Sequence, residues 1–281
     1  MKNIACIIAR TSSSRLKQKV LLDVNGRKLI EYIISKTKLA RNIDDIYICT
    51  STEPEDAILC EVAEKNGVKC FQGSLKAVIE RMLAVAEIEN ADNLIRITGD
   101  NPFTDEVYID LMLKYHIENN YEYTRTEYLP VGITAEVIQT KALKHCYGLI
   151  NPNDSEYLMI YMFQPEQFKC QVLVPPERHQ HADWSLTVDT EDDLNKIREI
   201  VKGSKGIIDY NTIVEICSKM PSEVMNIKPI SNVKFPGGVL VTYSTCRHEM
   251  DLRIAKSKTV YIIQEEFENV LQSQKIQIHH R

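Results

Sequence analysis

Hydrophobic positions along the chain come as short apolar runs separated by stretches of helical spacing. Asn3-Ile-Ala-Cys-Ile-Ile-Ala9 is too short for a stable helix and is bounded by polar residues, so it reads as a buried strand of a parallel sheet. Leu29 to Lys38 has helical spacing, and Asp45 to Thr50 alternates and is rich in β-branched residues, a second strand. Thr52 has Glu55 three residues on and Pro54 in the first turn, a capping-box start for a helix running to about Asn66, with Gly67 as its stop. Lys69 to Phe71 reads as a strand and Ser74 to Glu87 as a helix with Val78, Met82 and Val85 on one face. Asp92 to Thr98 is a further strand and Asp105 to Asn119 a further helix. Strand and helix alternating through short connections predict an α/β fold, a doubly wound, mostly parallel Rossmann-like sheet.

The second half is less regular. Gly132 to Ile138 reads as a strand, followed by a short helix from Thr140 to His145; Ser155 to Gln164 is helical and Cys170 to Val174 extended. Ser185 to Val188 reads as a strand ending at Asp189. Glu191 to Val201 is a helix whose acidic first turn suits the helix dipole, and Tyr210 to Met220 is another helix. From about Met225 the pattern changes. Pro229 and Pro236-Gly237-Gly238 mark turns, Val239 to Tyr243 and Thr259 to Ile263 read as strands, and a last amphipathic helix carries Phe267, Val270 and Leu271. The expected organisation is a main domain over 1–224 and a strand-helix appendage over 225–281, packed on that domain or on a second copy of the chain as a homodimer.

Composition narrows the partners. With 281 residues, 44% of them hydrophobic and 26% charged, the chain is long enough to bury a sizeable core and has the make-up of a soluble globular protein. A net charge of -5 argues against a nucleic-acid surface spread over the molecule. No apolar stretch approaches a bilayer span, and Met1-Lys2-Asn3 leads into a strand without a signal-peptide layout, so the expected location is cytoplasmic. The eight cysteines form no Cys-x-x-Cys pair and fall in strands or on apolar helix faces. They are expected to be reduced core residues rather than a metal cluster or disulfide framework.

Candidate chemistry starts directly behind the first strand, where Arg10-Thr-Ser-Ser-Ser-Arg-Leu-Lys-Gln-Lys19 combines small hydroxyl residues with four cations. A loop of small residues at the carboxyl end of a first strand is where open α/β sheets bind ligands. Backbone N–H groups, hydroxyls and cations suit a polyphosphate. The spacing matches neither the P-loop nor the dinucleotide glycine fingerprint. Asp100 and Asp189 each follow a strand and belong to the same rim. Two carboxylates facing a polyphosphate need a cation between them, and Mg²⁺ accepts such ligands. The chemistry this implies is phosphoryl transfer, with Arg10 and Lys19 on the β- and γ-phosphates and Asp100 holding the metal. His179, His181 and Asp183 read as a mobile loop able to cover an acceptor, His279 and His280 as a disordered tail, and Tyr121, Tyr123 and Tyr128 as strand-forming residues.

Four ordered motifs resemble the cytidylyltransferase family, which activates acidic sugars as CMP conjugates. They are Ala9 to Leu21, Gly73-Ser74 with Arg81, Arg96 to Pro102, and Leu186 to Leu194; the likeness covers roughly residues 1–200 and is nearest to spore-coat-polysaccharide-type members. The resemblance implies a nucleotide-diphospho-sugar-transferase type of fold and transfer of CMP from CTP to a small anionic acceptor. It assigns Ala9, Arg10, Ser13, Ser14 and Lys19 to the triphosphate loop, and Gly73, Ser74, Arg81 and Thr98 to the nucleotide. Asp100 and Asp189 become metal ligands, and Glu136 and Glu156 fall on the acceptor side. The chain departs from the family pattern where Lys17-Gln18 replace Pro-Gly and where Tyr157 to Ile160 replaces a His-x-x-Pro stretch. Trp184 also stands before the second metal strand. A nucleotide-sugar-dependent glycosyltransferase and a catalytically silent nucleotide-binding protein are the alternatives; Thr98-Gly-Asp100 lacks the first Asp of the glycosyltransferase Asp-x-Asp motif.

Overall fold

The computed structural model of the chain describes all residues except 14, 205, 229–230, 236–238 and 279–281; of residues 154, 234 and 276–278 it describes the backbone. The expected turns at Pro229 and Pro236-Gly237-Gly238, the tail histidines and Ser14 lie outside the described residues. The chain opens with β1 (Asn3–Ile8), and a small hairpin of β2 (Asp23–Val24) and β3 (Arg27–Lys28) leads into α1 (Leu29–Thr37). Then follow β4 (Asp45–Ser51), α2 (Ala57–Lys65), β5 (Lys69–Gly73), α3 (Val78–Glu89), β6 (Asn93–Thr98) and α4 (Glu106–Glu118). The middle of the chain gives β7 (Tyr123–Thr126), β8 (Glu136–Gln139), α5 (Thr140–Leu149), α6 (Leu158–Met162), β9 (Cys170–Val174), α7 (Glu191–Val201), α8 (Tyr210–Cys217) and α9 (Ser222–Met225). A hairpin of β10 (Asn232–Lys234) and β11 (Leu240–Thr242), then α10 (Tyr243–Lys256), β12 (Lys258–Tyr261) and α11 (Gln264–Ile278), complete it.

The central sheet has eight strands in the order β12-β9-β7-β8-β6-β1-β4-β5. β8 runs antiparallel to both of its neighbours, and the other pairings are parallel. β1 sits in the middle with Ile4 and Ile7 fully buried, which explains its unbroken apolar run: helices cover both faces. One core joins Ile7, Ile97, Ile33, Leu111 and Ile197; the other joins Cys6, Leu94, Met82, Leu143 and Met162. Each such side chain contributes about 1.5–3 kcal/mol by leaving water.

Several elements differ from expectation. Ser185 to Val188 is no strand: it makes a single bridge to Val131, and Val188 N–H donates to the carbonyl of Asp100 at 2.9 Å, so it is pinned by loops rather than by a neighbouring strand. The expected strand from Gly132 starts only at Glu136, because Gly132 turns the chain at φ +103°. The start at Thr52 is a 3-10 turn over Pro54–Asp56 before α2, and the helix expected from Ser155 is a 3-10 segment from Pro152 to Tyr157 followed by the short α6.

Residues 225–281 supply β12, which pairs in parallel with β9 as the outermost strand. Phe267 and Leu271 of α11, expected to be available to a second copy, are buried: Phe267 packs on Tyr108 of α4 with ring centres 5.1 Å apart. The cysteine expectation also needs correction. Cys60 on α2 and Cys70 on β5 are brought together and form a disulfide, because α2 packs against the strand that follows it; the other six cysteines are free thiols.

Candidate active site

The hydroxyl loop behind β1 is held from below. Thr11 is buried, and its N–H and Oγ1 donate to Asp56 Oδ1 at 2.6 and 2.7 Å; the Ser51 hydroxyl donates to the other carboxylate oxygen. Burial works against charge on Asp56, yet the Ser51 and Thr11 donors hold its carboxyl below the ordinary aspartate value. The loop then turns through Gln18 in the left-handed region (φ 53°) into a single 3-10 turn, Lys19–Leu21, anchored by buried Val20. That turn aims Lys19 at the sheet rim.

At the rim Lys19 Nζ lies 3.0 Å from Asp100 Oδ2, 2.8 Å from Asp189 Oδ1 and 2.8 Å from the carbonyl oxygen of Val188. Burial disfavours the ammonium, but the Asp100 and Asp189 carboxylates outweigh it and raise its pKa. Arg15 adds a second cation, 2.8 Å from Asp189 Oδ1. Asp100 reaches this point because Gly99 lets β6 end against β1. A Cβ on Gly99 would lie 2.9 Å from Ala9 Cβ and 3.0 Å from the Ile8 carbonyl, and the Gly99 N–H donates to that carbonyl at 2.8 Å. Asp189 is set by the capping box of α7, in which Thr190 and Asp193 exchange hydrogen bonds and the Asp189 N–H donates to Asp193 Oδ2.

The remaining sequence candidates fall around this centre. Arg10 Nη2 pairs with Glu156 Oε1 at 2.7 Å, and Glu136 Oε2 pairs with Arg96 Nη1 at 2.7 Å; Arg96 Nη2 also reaches the Glu156 carbonyl at 3.4 Å. Ala9 is buried beside Gly99, Ser13 N–H turns back to the Thr11 carbonyl, and Thr98 Oγ1 accepts from Asn101 Nδ2 at 2.7 Å. Gly73 lies against Arg81, whose Cγ would stand 2.8 Å from an added Cβ. Arg81 is buried and donates to the Cys49 carbonyl at 2.9 Å, while Ser74 Oγ accepts from the Ala77 N–H at 3.3 Å.

His179 does not lie on a mobile loop. It is fully buried among Tyr108, Tyr210 and Phe267, hydrogen-bonded through Nδ1 to the Tyr108 hydroxyl at 2.7 Å. His181 stacks on Trp184 with ring centres 3.7 Å apart. Asp56 escaped sequence reading, and Arg15 entered it only as one of the four loop cations. Asp56 is legible only once its partners are known, whereas Arg15 carried a signal, its place among the loop cations.

Comparisons with known proteins show the family and the fold. The family model described as Cytidylyltransferase matches residues 4–211, and the chain belongs to the cytidylyltransferase family. Its fold is that of the solved cytidylyltransferase described below, and family and fold together indicate a nucleotidyltransferase rather than a glycosyltransferase. An uncharacterized protein of Methanocaldococcus jannaschii is 34% identical over 237 residues, spanning 83% of this chain and 96% of that protein. The spore coat polysaccharide biosynthesis protein SpsF of Bacillus subtilis is 29% identical over 231 residues, spanning 79% and 96%. A solved cytidylyltransferase from Leptospira borgpetersenii serovar Hardjo-bovis superposes with a TM-score of 0.74 at 26% identity, over 81% of this chain and 98% of that one. No helix among the described residues is long and apolar enough to cross a membrane.

Proposed function

We propose that the protein transfers CMP from CTP to a small anionic acceptor (a sugar acid, a sugar or polyol phosphate, or a phosphonate) with release of pyrophosphate. The reading rests above all on Lys19 Nζ standing within 3.0 Å of both Asp100 and Asp189. Likeness to a spore coat polysaccharide protein supports a role in making precursors for surface glycans.

The site residues fit a divalent cation. Asp100 Oδ2 and Asp189 Oδ1 converge on one point, and two carboxylates are the hard oxygen donors Mg²⁺ takes alongside phosphate oxygens. Lys19 satisfies that convergence with its own charge and is within reach to pass to an arriving phosphate. When bound, the ion supplies charge neutralisation on the α-phosphate.

The chain's own groups do the rest. Arg10, Ser13 and Lys19 hold the β- and γ-phosphates, so that the oxygen bridging to the β-phosphate leaves with its charge matched. Gly73, Ser74, Arg81 and Thr98 frame the nucleoside. Glu136 and Glu156, each fixed by an arginine, face the acceptor's hydroxyl groups. The acceptor oxygen attacks the α-phosphorus in line, forming one P–O bond as the other breaks.

The exposed side chains of Tyr261, the last residue of the edge strand β12, and of Ile263 just beyond it support a homodimer; light scattering showing a monomer at micromolar concentration refutes it. The function itself is tested by pyrophosphate release with Mg²⁺ and each of the four ribonucleoside triphosphates against a panel of these acceptors. Release with CTP and one acceptor class is the expected result. Release with GTP alone removes the CTP assignment.

A further inference from the structure

The flank of the sheet that ends in β5 is thinly packed. β5 is an edge strand with no buried residue, and α2, which packs on it, buries only Leu59, Val62 and Ala63. Segments with so few buried apolar side chains open at lower cost than the core. This flank nevertheless carries two groups that shape the candidate site. Asp56, at the start of α2, is buried and accepts from the Thr11 N–H and Oγ1 and from the Ser51 hydroxyl. Gly73, the last residue of β5, lies against Arg81, and its carbonyl accepts from the Thr52 N–H at 3.0 Å.

One covalent bond spans this flank. Cys60 stands one turn after Asp56, on the same face of α2, and is bonded to Cys70, which precedes Gly73 on β5. Ser51 and Gly73 are in register on β4 and β5, so a ring of contacts closes. It runs from Asp56 to Ser51, across to Gly73, back along β5 to Cys70, and through the bridge to the helix that carries Asp56. The bridge therefore fixes the residue that holds the phosphate loop relative to the corner assigned to the nucleoside. Cys60 and Cys70 are half-buried, whereas five of the six free cysteines are buried and only Cys246 is partly exposed. Solution thiols thus meet this pair ahead of the core cysteines.

We propose that the Cys60–Cys70 pair is a redox latch on nucleotide binding: the bridged form holds the phosphate loop and the Gly73 corner in the CTP-binding arrangement, and the dithiol form relaxes them. The inference rests on the cytidylyltransferase reading above. Closing the latch consumes one small-molecule disulfide. One cysteine thiolate attacks a sulfur of that reagent and expels one thiolate; the second cysteine thiolate attacks the mixed disulfide and expels the other. Two electrons pass from the cysteine pair to the reagent, and the two cysteine protons end on its two thiols. A dithiol reverses both steps. Linkage makes the coupling reciprocal: the factor by which reduction weakens CTP binding is the factor by which bound CTP opposes reduction.

The test measures CTP binding by calorimetry with Mg²⁺ for wild type, bridged and after reduction with dithiothreitol, and for Cys60→Ser, Cys70→Ser and Cys246→Ser. Reduction is expected to raise the Kd for CTP about fivefold or more in wild type. Cys60→Ser and Cys70→Ser bind as reduced wild type does, with or without dithiothreitol. Cys246→Ser, which removes the one partly exposed free thiol, responds to reduction as wild type does. In mixtures of reduced and oxidised dithiothreitol, saturating CTP shifts the wild-type pair toward the bridge by the same factor. A smaller change in Kd on reduction overturns the latch even where the melting temperature falls, because a merely structural bridge has that effect. Loss of the response in Cys246→Ser overturns it as well, as does a dithiol–disulfide balance that ignores CTP. Wild type that binds no CTP in either form overturns the cytidylyltransferase reading and the latch together.

Discussion

Lys19 and Asp189 are 170 residues apart in the chain, and the Nζ of one lies 2.8 Å from Oδ1 of the other. Asp100 completes the contact from a third segment, so one ammonium ties together the ends of two rim loops. Asp100→Asn keeps the size of the side chain but removes its charge. It is expected to lower kcat by about 10²–10³-fold, the usual loss for a preorganised electrostatic group, while CTP binding falls much less. Pyrophosphate release and equilibrium CTP binding measure the two effects separately; wild-type turnover in the variant removes Asp100 from the centre.

Gly132→Ala should disturb the same centre from a distance. At φ +103° an added Cβ would lie 2.7 Å from the backbone of Leu186 and Thr187, in the segment that leads to Asp189. The strain is expected to cost about 1–3 kcal/mol in denaturant unfolding and to depress turnover through displacement of Asp189. Full stability in the variant would mean that the 186–188 segment gives way freely.

Acid should weaken the fold through Glu89. Lys2, Lys69 and the Tyr47 hydroxyl donate to its carboxylate and hold its pKa at about 2, against 4.5 for an ordinary glutamate. A depressed carboxyl pKa stabilises the folded state fully above the unfolded value, and that contribution drains away as pH falls from about 4.5 toward 2. Melting curves of Glu89→Gln and wild type are therefore expected to be well separated near neutrality and to approach each other below pH 4.5. A constant gap across that range contradicts the assignment.

The Cys60–Cys70 bridge closes a short loop between α2 and β5. Chain-entropy arguments give a loop of this length about 2–3 kcal/mol of stabilisation. Cys60→Ser is expected to lower the melting temperature of unreduced protein to that of the reduced wild type. Thiol titration of denatured, unreduced wild type should count six free cysteines. A count of eight would show that the bridge does not form.

Much of the fold was readable where the pattern is local. β9 and α7 were located to the residue, because an unbroken apolar run and an acidic, capped amphipathic stretch each declare themselves within their own length. Ser185 to Val188 has the same apolar alternation as a strand, yet its partners are the backbones of Val131 and Asp100, which only the folded chain supplies. α10 was missed because its buried residues, Met250 and Ile254, make too thin a stripe to set a period. The candidate centre was expected as a loop and two carboxylates each behind a strand; Asp100 does follow β6, whereas Asp189 follows a segment that only loops hold. That Lys19 itself lies between them was not, because its reach depends on the left-handed turn at Gln18. The pairing of Cys60 with Cys70 likewise depends on α2 lying back on β5.

The placement of β12 has a consequence for synthesis on the ribosome. β9 is an internal strand only because β12, formed roughly eighty residues later, docks along it. While the nascent chain grows through α7, α8 and α9, that flank of β9 offers unpaired backbone groups of an apolar segment, the kind of edge that invites pairing with other chains. The interval between emergence of these two strands is thus the window in which a folding assistant would have most to shield.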